Sequence, residues 1–166
     1  MSLEAIFENM EKLIGAHAAL LELAEQKKQA LIHNDIEQLS AIVNRESRMV
    51  KQVTELDQQR IHAIGQFMLE KGYRPNPYVT INDLSKLLFK VDEKKSLLGL
   101  QQSLLQTINK LKALNDLNRQ LLEQSLAFVN HSLDLIAGPP EDEAVYHNPQ
   151  QQGYGFKRPG MFDSRA

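Results

Sequence analysis

Apolar side chains recur in steps of three and four along three long stretches of the chain, residues 3–32, 36–68 and 97–136. That spacing gathers them on one face of an α-helix. In the first stretch Leu3, Ile6, Phe7, Met10, Leu13, Ile14, His17, Leu20, Leu21, Ala24 and Leu31 carry the pattern for about four heptads. His33, Asn34 and Asp35 interrupt it. Asn34 with Glu37 three residues later resembles a capping box, in which side chains satisfy the free N–H groups of a new helix. The second stretch places Ile36, Leu39, Val43, Val50, Val53, Ile64 and Phe67 on a buried seam, widened by Ile42, Met49 and Leu56. Lys71 and Gly72 suit its end, a cation near the negative pole followed by a residue free to turn left-handed. The short link after residue 32 makes the first two helices antiparallel neighbours.

Pro75 and Pro77 exclude helix between residues 73 and 79, so this segment reads as a loop. Thr80 to Asp83 looks like a second cap, opening a short helix with Ile81, Leu84, Leu88 and Val91 on one side. The third long helix follows from Asp92 or Glu93 to Ala137. It carries two overlapping seams, Leu97, Leu104, Ile108, Leu111, Leu122, Val129 and Ile136 beside Leu100, Leu114, Leu121, Phe128 and Leu135. So broad an apolar face calls for two neighbours, as in a three-helix bundle. At a rise of about 1.5 Å per residue this helix runs roughly 65 Å against roughly 45 Å for the first. Part of its apolar surface is therefore expected to lack an internal partner.

The expected fold is all-α. It is an antiparallel three-helix bundle of long helices with coiled-coil character, a short extra helix and a disordered C-terminal tail. The expected helices span 3–32, 35–71, 80–90 and 93–137 within a bundle of residues 1–137. Gly138, Pro139 and Pro140 end the last helix, and residues 138–166 form a flexible tail, polar and without period. Tyr146, Tyr154, Phe156, Met161 and Phe162 punctuate that tail. They suit either a docking segment or a solubilising one.

Composition narrows the function. A formal net charge of −2 argues against a general nucleic-acid binder, which needs a basic stripe to neutralise phosphates. The absence of cysteine removes disulfides, zinc–thiolate sites and thiol nucleophiles. Met1 to Glu4 offers neither the basic nor the apolar region of a secretory leader, and no apolar run reaches the roughly 20 residues that span a bilayer. A soluble, cytoplasmic protein without membrane insertion is the expectation.

No catalytic set emerges. His17, His33, His62, His131 and His147 form no HxxxH or HExxH pair, which would put two imidazoles on one helical face to hold zinc. Neither a GxSxG elbow nor a glycine-rich phosphate loop is present. The protein is expected to be no enzyme and to use neither metal nor cofactor. Glu46 and Arg60 fall near the apolar seam of the second helix, as buried register-setting groups or as an exposed stripe. Asn115 and Asn118 interrupt the third helix between Leu111 and Leu122; such polar residues either set register at some cost in stability or face water.

The run from Asn118 to Val129, which fits N-x-x-L-L-x-x-S-L-x-F-V, resembles the C-terminal helix signature of the FlgN-type flagellar export chaperones. The wider layout, two long helices, a proline-bearing loop, a long helix and a tail, is similar to that family, as is the ending from Met161 to Ala166. The resemblance implies a cytosolic chaperone of the hook–filament junction proteins FlgK and FlgL. It implies that the C-terminal part of the chaperone engages the C-terminal region of the client, prevents premature assembly or degradation, and delivers the client to the type III export gate. A tyrosine near the chaperone's C-terminus is implicated in docking there, matched first by Tyr154, then by Tyr146, with Phe156 alongside.

On this reading Leu111, Leu114, Leu121, Ser125 and Phe128 contribute to the client surface. An amphipathic client segment would lie in a groove on the third helix, and the cost of ordering it keeps affinity moderate. Two other classes compete: a structural coiled-coil protein that self-associates, forming a homo-oligomer in the absence of client, and a regulator that sequesters a partner through the helix face and tail.

Overall fold

The computed structural model describes residues 2–138, and all regular structure among them is helical. The helices are α1 (Ser2–Ile32), α2 (Ile36–Glu70), α3 (Ile81–Lys86) and α4 (Val91–Ala137). The chain divides into two compact units, Met1–Ser125 and Leu126–Ala166.

In the first unit α1 and α2 form an antiparallel hairpin. The Ser2 hydroxyl donates to the Glu70 carboxylate at one end, and Lys27 Nζ reaches Glu46 Oε2 at 2.6 Å toward the other. The turn between them differs from the expected cap. Asn34 adopts φ 53°, and the Asp35 N–H donates to the Ala30 carbonyl at 2.9 Å while the Asn34 N–H donates to Leu31 at 3.4 Å. These are the paired bonds of a Schellman turn, which needs a left-handed residue; asparagine tolerates that conformation better than most residues with a side chain. Asn34 is thus used to end α1, and Asp35 caps α2 instead, its Oδ1 accepting from the Gln38 N–H at 2.9 Å. Gly72, at φ 81°, ends α2 with the same pair of bonds, Tyr73 N–H to Met68 at 2.8 Å and Gly72 N–H to Leu69 at 3.0 Å.

Thr80 opens α3 with a capping box, its hydroxyl oxygen accepting from the Asp83 N–H while the Asp83 carboxylate accepts from the Thr80 N–H. α3 is shorter than expected. Leu87 and Leu88 continue it only as turn residues bonded to the Leu84 and Ser85 carbonyls, after which α4 begins at Val91.

The main core cluster joins all four helices. Ile6 and Met10 of α1, Ala63, Ile64, Phe67 and Met68 of α2, Ile81 and Leu84 of α3 with Leu88 beyond it, and Leu97 of α4 pack together. Each large aliphatic side chain sealed there contributes about 1.5–3 kcal/mol. A second cluster of Leu13, Ala16 and Leu56, with Leu104 against it, lies farther along. A third, Leu23, Ala30 and Ile42 with Leu39 against it, draws on α1 and α2 alone. Leu97 packs near Ile6 and Met10, and Asn118 bonds to Ala24, so α4 runs parallel to α1 and antiparallel to α2.

The buried seam of α2 departs from expectation. Ile42 and Leu56 are core residues, whereas Ile36, Val43 and Val50 are exposed. The physical reason is coverage: α1 takes the Ile42–Leu56 flank, and nothing in the described structure closes over Val43 and Val50. α4 is more open still, because Leu97 and Asn118 are the buried positions among its 47 residues.

In the second unit the described residues are 126–138. They complete α4, which stops at Gly138 with φ 79°. Leu126, Phe128, Val129, Leu133, Leu135 and Ile136 are exposed there.

Candidate functional site

The vacancy beside Val43 and Val50 is a hollow of about 470 Å³ between α1, α2 and α4. Leu20 and Leu31 of α1 line it together with Leu39, Val43 and Val50 of α2 and Leu111 and Leu122 of α4. The helical repeat explains these positions. On α2, Leu39, Val43, Glu46 and Val50 follow steps of four, three and four, and on α4 Leu111, Asn115, Asn118 and Leu122 follow the same steps, so each set forms one continuous wall.

Polar groups punctuate the apolar lining. Lys27 and Glu46 form an ion pair with side chains 24% and 17% exposed, bridging α1 to α2 at the hollow's side. Glu46 is therefore a half-buried, paired group. Arg60 is likewise paired, but on its own helix, with Asp57 at 2.8 Å. Asn118 is 3% exposed, and its Nδ2 donates to the Ala24 carbonyl at 2.8 Å. Its Oδ1 is buried without a partner among the described residues. Asn115, by contrast, is exposed and lines the hollow. The two asparagines that look alike in sequence thus have different roles, one tying α4 to α1 and the other facing the opening. Arg119 also lines the hollow and makes no ion pair among the described residues.

A second hollow of about 460 Å³ follows along the same three helices, with Met10 and Leu13, Val53 and Arg60, and Leu104 and Ile108 among its walls and Ile81 of α3 beside them. His17 belongs here. Its Nδ1 lies 2.7 Å from the Leu13 carbonyl, an oxygen that only accepts, so Nδ1 carries the proton and bonds within α1. Among the described residues no three histidine, aspartate or glutamate side chains converge to hold a metal ion, and no described helix is long and apolar enough to cross a membrane.

The groups with shifted protonation lie outside both hollows. Asp83 is held below the usual carboxylate range by hydrogen bonds from Thr80 and Lys86, Glu8 is held low by Lys12, and Lys90 is raised by Glu93. All three are surface groups: Asp83 and Lys90 stand at the starts of α3 and α4, and Glu8 pairs with Lys12 along α1. The hollows are built for apolar contact, with hydrogen-bonding and charged groups at their edges.

Of the site residues read from the sequence, Leu111 lines the first hollow. Leu114, Leu121 and Ser125 are half-buried on α4 and do not line it. Phe128 is 69% exposed in the second unit. Tyr146, Tyr154 and Phe156 lie outside the described residues. Sequence reasoning confined the site to the last helix and missed the α2 wall. The signal was present in the seven-residue spacing of Val43 and Val50 around Glu46, a charged group on an apolar seam.

A family model described as FlgN protein matches residues 1–153. A Bacillus subtilis (strain 168) protein described as "Uncharacterized protein YvyG" is 33% identical over 169 residues, covering 100% of both chains. No solved structure matches the chain.

Proposed function

The chain belongs to the FlgN family of flagellar export chaperones, and from that premise we propose that it serves the hook–filament junction proteins FlgK and FlgL. It works in the cytoplasm, holds the C-terminal amphipathic region of its client, and releases the client at the type III export gate. The family is non-enzymatic, and the proposed work is binding and release.

The observation that carries this reading is the apolar hollow between α1, α2 and α4. A bundle that leaves Val43, Val50 and Leu122 in water forgoes about 25 cal/mol for each Å² of apolar surface it fails to bury. A client helix laid there recovers that stabilisation, in the helix-in-groove mode. Part of the gain is spent on ordering the client, which keeps affinity moderate and release practicable. On this proposal Leu111 meets the client inside the hollow, Leu114, Leu121, Ser125 and Phe128 extend the client surface along α4 outside it, and Tyr154, Tyr146 and Phe156 take part in docking at the gate.

Pull-down of FlgK by the purified protein tests the reading. Leu121→Asp and Phe128→Asp are expected to weaken capture while circular dichroism stays native; unimpaired capture by both variants rejects those site residues. Removal of residues 139–166 is expected to spare client binding and impair export. Loss of all binding on that truncation would favour a regulator acting through its tail. A stable homo-oligomer in light scattering that ignores client would favour self-assembly.

A further inference from the structure

The two hollows share no lining residue but follow one another along the same three long helices, in the line of a trough that α3 meets at its end. On α2 the walls run from Leu39 through Val50 to Arg60, and on α4 from Leu122 through Leu111 to Gln101. At about 1.5 Å per residue each wall is roughly 32 Å long. Beyond that the space is filled: Ile81, Leu84 and Leu88 pack against Ile6, Phe67 and Leu97, between the same three long helices. The molecule therefore already seats one short amphipathic helix in this trough, with apolar residues three and four apart. The remaining length has the same walls and no occupant from the described chain.

Resting on the chaperone reading, we propose that the trough between α2 and α4 seats one amphipathic client helix of about 20 residues, in line with α3. The bound helix turns its apolar face to α1 and ends against Ile81, which gives it a lengthwise register. Charge specifies one flank. Lys27 and Glu46 already neutralise each other, as do Arg60 and Asp57, whereas Arg119 makes no ion pair among the described residues. An acidic side chain on the client helix therefore faces Arg119. The new content is that α2 contributes half of the seat, so that the client is gripped between two helices.

Calorimetry of the full-length chain with a C-terminal FlgK peptide decides the matter, using Val50→Glu on the α2 wall, Leu122→Glu on the α4 wall and Leu69→Glu near the end of α2, outside the trough. All three positions are already exposed, and circular dichroism checks that each variant folds. Val50→Glu and Leu122→Glu are each expected to weaken binding at least about tenfold, because docking would bury a carboxylate against apolar surface. Leu69→Glu should leave affinity unchanged. If Val50→Glu binds as tightly as the parent while the parent itself binds, the two-walled seat is wrong and the chaperone reading survives. If the parent gives no binding, both fall. A dimer in light scattering that Val50→Glu dissolves would assign the trough to a second copy and overturn the proposal. So would a Val50→Glu effect that vanishes once residues 139–166 are removed, since the occupant would then be the chain's own tail.

Discussion

Replacing Asn118 by leucine is expected to stabilise the protein, although it removes a hydrogen bond between two helices. Asn118 is 3% exposed, donates one bond to the Ala24 carbonyl, and buries an Oδ1 with no partner among the described residues. The unpaired oxygen costs about 1–3 kcal/mol, and the bond contributes about 0.5–1.5 kcal/mol. The Ala24 carbonyl keeps its own bond within α1, so losing the Asn118 donor leaves no new orphan. Leucine has the same branching and adds apolar surface, which contributes about 1–2 kcal/mol, less about 1 kcal/mol for tight packing. The adjoining hollow gives that side chain room to adjust. The net expectation is a gain of about 1–2 kcal/mol, read as a rise of roughly 0.5–1 M in the urea midpoint. Asn115→Leu, on exposed surface of the same helix, should change stability by less than about 0.5 kcal/mol. Circular dichroism at 222 nm across a urea series makes both measurements. A loss of stability in Asn118→Leu would refute the reasoning, because it would mean that Oδ1 is satisfied and the asparagine is a net stabiliser.

Leu84→Ala should cost about 2–5 kcal/mol in chemical denaturation, since Leu84 is fully buried where α3 meets the other helices; a cost below 1 kcal/mol would mean that α3 is not seated as described. The α3 cap should depend on pH with a definite sign. Asp83 is held low by Thr80 first and Lys86 second, so its contribution is whole above the ordinary aspartate range and disappears as pH falls through the lowered folded-state value. An NMR titration following the Asp83 carboxyl and the Thr80 amide should show one shared transition below the ordinary range, and Asp83→Asn should abolish it in the amide. Transitions at different pH would break the link between the carboxylate and the cap.

What the sequence determined alone was whatever depends on neighbours a few residues apart. Apolar steps of three and four placed the long helices, Gly72 the left-handed end of α2, Gly138 the stop of α4, and Thr80 with Asp83 the cap of α3. Asn34 shows the limit of that reasoning: it was legible as a helix-boundary residue, but whether it closed α1 or opened α2 depended on the backbone path of the turn. The breadth of the apolar face on the last helix also announced a surplus, and the Asn118 to Val129 run resembles the family to which the chain belongs.

Tertiary structure alone decided where the surplus lies. Asn115 and Asn118 occupy equivalent places in the periodic pattern, and only the approach of α1 buries one and leaves the other in water. Val43 and Val50 look like core in sequence, yet they are exposed because α3 enters the space between α2 and α4 at one end and leaves the rest unfilled. A helical seam records which residues seek a partner; which partner arrives depends on the spacing between helices joined through a distant loop. That spacing is a property of the assembled bundle, and it turns an apolar stripe on one helix into a trough with two walls.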